Sequence, residues 1–157
     1  MKQFKKVADY TNSLTIITLI GMMGSGKTKF GSFLSNHIGY QFYDVDEVVE
    51  KNLKKTIRSI FNEHGESYFR NEEKKTIKWL VNKAINRNKN TILSLGGGGF
   101  DDREIQNLLL SKSLVVWLKC PIDILIKRIG NSKKRPMLNN DIQLSLQNLL
   151  KKRVPHY

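Results

Sequence analysis

The chain has 157 residues, a length that points to one domain with a single sizeable core. Its 39% hydrophobic and 26% charged content is ordinary for a soluble globular protein, and no apolar run reaches membrane-spanning length. The formal net charge of +13 admits nucleic acid or small anions as partners, but the lysines are scattered, as at Lys5, Lys6, Lys54, Lys55, Lys74 and Lys75. Neither an RNA-binding aromatic signature nor a zinc spacing accompanies them. A solvated basic surface is the first reading, small anionic substrates the second and nucleic acid the third.

Residues 1–13 are polar and lack the apolar stretch of a secretory signal, so they read as an N-terminal surface extension. Cys120 is the only cysteine, which excludes an intrachain disulfide; with it, a cytoplasmic protein is expected. Cys120 itself reads as structural.

Residues 14–20 form a short β-branched run bounded by glycine, the pattern of a buried strand. Then comes Gly21-Met22-Met23-Gly24-Ser25-Gly26-Lys27-Thr28, which fits the phosphate-loop pattern G-x-x-x-x-G-K-[ST]. Phe30, Phe33, Leu34 and Ile38 follow at helical spacing, and Gly39 supplies a stop. Strand, glycine loop and helix in this order make an anion cradle. Glycines turn their N–H groups inward, and the helix dipole adds positive potential. Lys27 adds a point charge toward the β- and γ-phosphates, and Thr28 offers a hydroxyl to Mg²⁺. A nucleoside triphosphate with Mg²⁺ is the expected ligand.

A short strand over 41–43 leads into Asp44, and 46–53 is helical in pattern. Asp44 and Asp46, two apart in extended backbone, would project to one side at the carboxyl end of the sheet. One carboxylate then serves Mg²⁺ and the other orients or deprotonates an attacking hydroxyl; the plainer alternative makes Asp46 a helix cap. Residues 56–64 predict a short helix ended by Gly65. Residues 66–86 predict a long one, with Phe69, Ile77, Leu80, Val81 and Ala84 as apolar positions. Arg70 sits near its start, within reach of Glu66 and Glu73 as ordinary ion-pair partners.

Residues 91–95 read as a third strand, closed by Gly96-Gly97-Gly98-Gly99. Four glycines at the end of a parallel strand suit close approach of backbone to a ligand. A helix over 101–110, a strand over 113–118 and a helix opened by Pro121 come next. Residues 131–140 are polar and contain Pro136, so they read as a loop, and 141–153 returns to helix. Strands alternating with helices predict an α/β domain with a parallel sheet. Arg135 and Arg153 are guanidinium groups suited to a carboxylate or a phosphoryl group. His37, His64 and His156 lack metal-ligand spacing.

These residues in this order resemble the shikimate kinase family. The match comprises the 21–28 loop, Asp44-x-Asp46, Ile60-Phe61, Gly65-Glu66, Phe69-Arg70, Glu73, Leu95-Gly96-Gly97-Gly98, Arg135-Pro136-x-Leu138, and Arg153 with Tyr157. It covers nearly everything from Leu14 onward. The phosphate loop alone is shared by many kinases; its combination with both aspartates, Phe-Arg and the triple glycine is far more specific.

The resemblance implies a three-layer P-loop kinase fold over 14–157, with a parallel sheet flanked by helices and a mobile lid. It implies transfer of the γ-phosphoryl of ATP to the 3-hydroxyl of shikimate, on the route to chorismate and the aromatic amino acids. Gly24, Ser25, Gly26, Lys27, Thr28, Lys29, Arg128 and Arg135 would serve ATP. Thr28 and Asp44 would serve Mg²⁺. Asp46 would bind the attacking hydroxyl as base, with Lys27 and Arg135 as the other catalytic groups. Arg70 and Arg153 would hold the shikimate carboxylate, and Gly96, Gly97 and Gly98 would border the ring. The 131–140 loop, carrying Arg135, suits a lid that excludes water as a competing acceptor.

The expected partners are ATP and shikimate, with neither nucleic acid nor membrane, and the expected state is a cytoplasmic monomer. The family continues past the residue matching Tyr157 into a strand and a helix that flank an adenine-contacting loop. Without them the apolar 114–118 strand would stand at a sheet edge, so the sequence given is expected to be a fragment or the ordered part of a longer chain, the alternative being a domain that closes differently. Rival readings are a gluconate or nucleoside monophosphate kinase of the same fold, which the triple glycine with Arg70 and Arg153 disfavours. A non-catalytic nucleotide-binding module is a further rival.

Overall fold

A computed structural model describes residues 15–129 and 142–157. Among the described residues four strands form one parallel sheet: β1 (Ile16–Ile20), β2 (Gln41–Asp44), β3 (Thr91–Ser94) and β4 (Leu114–Trp117), in the order β2-β3-β1-β4. Leu19 pairs with Ser94, Asp44 with Ser94, and Ile20 with Trp117. The carboxyl ends of all four strands thus lie along one edge, and the loops leaving them meet there. β3 is buried throughout. β4 is half-buried and forms the edge of the sheet among the described residues, as expected for 114–118.

Six helices connect and cover the strands among the described residues: α1 (Lys27–Ile38), α2 (Val45–Leu53), α3 (Ile57–Asn86), α4 (Arg103–Lys112), α5 (Ile122–Ile129) and α6 (Ile142–Arg153). The two helices expected at 56–64 and 66–86 are one backbone run, α3, broken at Gly65. Gly65 has φ 81° and ψ 172°, outside the helical region and costly for any side chain. Thr56 caps the first part by accepting from the Ser59 N–H at 3.2 Å. Asp102 caps α4, accepting from the Ile105 N–H at 3.0 Å, so the helix begins two residues later than 101–110 suggested.

The main core joins Ile16 and Ile20 of β1 to Leu93 and Leu95 around β3, with Phe69, Ile77, Leu80, Val81 and Ala84 of α3. Each of the Ile, Leu, Val and Phe side chains among them contributes about 1.5–3 kcal/mol when fully buried. All five apolar positions expected on α3 are therefore in the core. On α1 the expected helix forms and stops at Gly39, but its apolar positions are not its buried ones. Phe30, Phe33 and Ile38 are 42%, 68% and 40% exposed, and the buried residues are Lys27, Gly31 and Ser35. The reason is steric. A Cβ on Gly31 would stand 2.5 Å from the Phe42 ring and 2.9 Å from Leu19 Cδ1, so α1 lies too close to the sheet for a large side chain.

Candidate active site

The turn from β1 into α1 is built from glycines at positive φ. Gly21, Gly24 and Gly26 have φ 138°, 79° and 96°. At Gly21 a Cβ would also stand 2.7 Å from the Leu118 carbonyl oxygen, so the loop passes hard against the end of β4. Inside this turn the Lys27 ammonium donates to the Gly21 and Met22 carbonyls at 2.8 and 2.9 Å. The Ser25 hydroxyl is buried without a hydrogen-bond partner. Arg128, on α5, reaches back to donate to the Gly24 carbonyl at 3.2 Å. Lys29 is exposed on the first turn of α1, facing the same cleft.

At the next strand end, Thr28 Oγ1 donates to Asp44 Oδ2 at 2.5 Å, and Asp44 Oδ1 accepts the Asp46 N–H at 3.0 Å. Asp44 is thus the cap of α2, and Asp46 lies in its first turn. The two aspartates share a site, but not by the alternation of an extended strand, since only Asp44 belongs to β2. Nor is Asp46 the cap. Its Oδ1 is buried without a partner. Burial, then the charges of Glu73 and Asp44, push the Asp46 carboxyl up to about 7, against the pull of Lys27 and Arg70. Lys27 and Arg70 therefore act on one carboxyl group from within the same site.

The Gly96–Gly99 turn supplies the floor. A Cβ on Gly96 would stand 2.6 Å from both Asp46 Oδ1 and Glu73 Oε1. One on Gly98 would stand 2.8 Å from the NH2 groups of both Arg70 and Arg153. The glycines are there because carboxylates and guanidinium groups occupy the space of side chains. Arg70 is held by Glu66 at 3.2 Å and Glu73 at 2.6 Å, so both ion pairs named as ordinary alternatives form at once. Arg153, the last residue of α6, is 2% exposed and donates through Nε to Asp101 at 3.2 Å.

Two openings flank this turn. A cleft of ≈ 670 Å³ is lined by the phosphate loop, Asp44, Asp46, Gly96, Gly97 and Arg128. A smaller one of ≈ 290 Å³ is lined by Arg70, Glu73, Gly98, Gly99 and Asp101, among others. Among the described residues, the buried side-chain polar atoms left without partners are Ser25 Oγ, Asp46 Oδ1, Glu73 Oε1, Asp101 Oδ1 and Arg153 NH1, all on residues of this neighbourhood. Such groups are expensive in a fold and mark where a ligand satisfies them.

Sequence reading made Glu73 only an ordinary ion-pair partner of Arg70, and gave neither Asp101 nor Tyr157 a part in the site. Glu73 is buried, and its carboxyl is pushed up chiefly by that burial. Tyr157 donates to the Gly97 carbonyl at 2.6 Å, and its ring lies tilted against Trp117; burial pushes its phenol up to about 12. An acidic residue three after an arginine on a helix reads as a surface ion pair, and only the fold buries it. Arg135 and the 131–140 loop lie outside the described residues.

A glycine loop with its lysine at the head of a parallel strand, and paired aspartates at the next strand end, define a P-loop kinase. The family model described as Shikimate kinase matches residues 23–157. A shikimate kinase from Staphylococcus aureus is 36% identical over 141 residues, covering 90% of this chain and 78% of that protein. One from Zymomonas mobilis is 39% identical over 134 residues, covering 85% and 73%. The solved structure of shikimate kinase from Acinetobacter baumannii in complex with shikimate superposes with a TM-score of 0.87 at 32% identity, covering 96% and 82%. The chain belongs to the shikimate kinase family.

Proposed function

We propose that this chain transfers the γ-phosphoryl group of ATP to the 3-hydroxyl of shikimate, giving shikimate 3-phosphate and ADP. One observation carries the reading. The partnerless carboxyl oxygen of Asp46 stands against Gly96 in the wall of the phosphate-loop cleft, and two residues along the same turn the Arg70 and Arg153 guanidinium groups converge on Gly98. A base that must face an alcohol and a triphosphate together belongs at that position.

In this reading Gly24, Ser25, Gly26, Lys27, Thr28, Lys29 and Arg128 hold the ATP phosphates. Arg135, outside the described residues, adds a cation at the transferring group. Arg70 and Arg153 take the shikimate carboxylate, and Gly96, Gly97 and Gly98 let the ring approach the backbone. Thr28 Oγ1 and Asp44 Oδ2, two hard oxygens 2.5 Å apart, suit Mg²⁺, which keeps several waters and needs few protein donors. When bound, that ion neutralises charge on the phosphate oxygens.

The chain's own groups then do the rest. The Asp46 carboxylate accepts the proton of the attacking hydroxyl as its oxygen bonds to the γ-phosphorus. The bond from that phosphorus to the bridging oxygen breaks, and ADP leaves with the electron pair. A carboxyl poised near 7 is suited to this proton transfer at neutral pH. Lys27 and the loop N–H groups stabilise the charge on the phosphates.

The reading takes the protein as a cytoplasmic monomer acting on two small anions, apart from nucleic acid and membranes. No helix among the described residues is long and apolar enough to cross a membrane. Gluconate and nucleoside monophosphates are the comparison substrates. ADP release is measured with each acceptor and with none; the expected result is release that depends on shikimate. Release driven by gluconate or a nucleotide, and not by shikimate, overturns the assignment.

A further inference from the structure

We infer that Asp101 is a positioning residue for the acidic end of the substrate, acting through Arg153. The inference rests on the reading of Arg70 and Arg153 as the carboxylate grip and adds a third group to it. A guanidinium that is 2% exposed requires a compensating charge, and Asp101 Oδ2, 3.2 Å from Nε, supplies it. The guanidinium is planar, so fixing the Nε edge fixes where the other two nitrogens point. NH1 is left buried without a partner and lies toward Gly97, where a Cβ would stand 3.2 Å away.

A second relationship makes the carboxylate necessary rather than incidental. The NH2 groups of Arg70 and Arg153 converge on Gly98, each 2.8 Å from where its Cβ would be. Two cations brought to one point repel in a site of low dielectric. Glu66 and Glu73 offset the charge of Arg70, and Asp101 does the same for Arg153. The Asp101 N–H donates to the Gly98 carbonyl at 3.0 Å, and Asp102 beside it caps α4. The carboxylate is thereby anchored to the same glycine turn on which both arginines converge. Asp101 therefore holds the second arm of the grip open toward a carboxylate and prevents it from swinging away from its neighbour.

The test is steady-state ADP release by the full chain, with shikimate and ATP varied separately. Asp101→Ala is expected to raise the shikimate KM on the order of ten- to hundredfold, the effect of a displaced positioning group. The ATP KM stays unchanged and kcat stays within about threefold, the split expected when binding of one substrate alone is lost. Asp101→Asn keeps an acceptor without the charge and gives an intermediate KM; it decides the matter alone if Asp101→Ala does not fold. On an Arg153→Ala background, Asp101→Ala adds no further rise in the shikimate KM, since the arm it positions is gone.

An unchanged or lowered shikimate KM in Asp101→Ala overturns the inference, as does an equal rise in both KM values. Full additivity with Arg153→Ala does so too. An unsubstituted chain without shikimate-dependent turnover refutes the carboxylate-grip reading itself. Normal turnover with unaltered Asp101 variants refutes only the positioning role.

Discussion

Thr28 Oγ1 and Asp44 Oδ2 lie 2.5 Å apart, joining the first turn of α1 to the last residue of β2. These residues are 16 apart in sequence, and the bond closes the phosphate loop onto the carboxylate that faces it. Removing Asp44 should therefore disturb the cation requirement before anything else. Asp44→Ala is expected to raise the Mg²⁺ concentration for half-maximal activity by roughly tenfold or more. A magnesium titration of ADP release at saturating substrates checks this, and an unshifted half-point removes Asp44 from the role.

Asp46→Asn keeps the shape of the side chain and abolishes its basicity. Turnover should fall by roughly 10²- to 10⁴-fold, the usual contribution of a positioned base. ATP binding, followed by calorimetry or a fluorescent analogue, should survive within about threefold, because the residue is read as serving the acceptor side. Near-normal turnover in this variant excludes proton transfer to Asp46.

The same substitution should stabilise the protein. The Asp46 carboxyl sits at about 7 when folded, against 3.8 for an ordinary aspartate, because it is buried beside Glu73 and Asp44. Between those values the native state binds the proton more tightly than the unfolded chain, so this group lowers stability as pH rises from about 4 to 7. Above 7 the loss is complete. In metal- and nucleotide-free protein, Asp46→Asn should melt several degrees above the parent at pH 8, at roughly 2–4 °C per kcal/mol, and close to it at pH 4. A variant that melts below the parent at pH 8 contradicts the burial argument.

Arg70→Ala should raise the shikimate KM far more than the ATP KM, since its guanidinium borders Gly98 rather than the phosphate loop. It should also cost stability, because Glu73, buried and paired with Arg70 at 2.6 Å, loses its hydrogen-bonded cation. Losses of about 3–5 kcal/mol are usual when one member of a buried pair is removed. Equal changes in the two KM values contradict the assignment, and denaturant unfolding checks the stability.

The phosphate loop, the alternation of strand and helix, and the stop at Gly65 were legible because each rests on local chemistry: glycine freedom, β-branched runs and capping. What was not legible depends on distant approach. The spacing of Phe30, Phe33, Leu34 and Ile38 marked α1 as a helix but not which face it buries, because that face is set by the approach of Phe42 and Leu19 to Gly31. Glu73 and Asp101 looked like ordinary acidic residues on or before a helix. Their importance appears only when the glycine turn and α6 bring Arg70 and Arg153 to the same spot. The common site of Asp44 and Asp46 was anticipated, although its cause is a cap at the strand–helix junction.

The seat of Gly31 against Phe42 and Leu19 sets a dimension of the catalytic apparatus. Gly31 stands three residues after Thr28, and Phe42 two before Asp44. The thickness of that contact is thus the ruler that spaces hydroxyl from carboxylate. One added methyl group would act like a shim under a hinge, spreading the Thr28 hydroxyl from the Asp44 carboxylate while leaving both groups chemically intact.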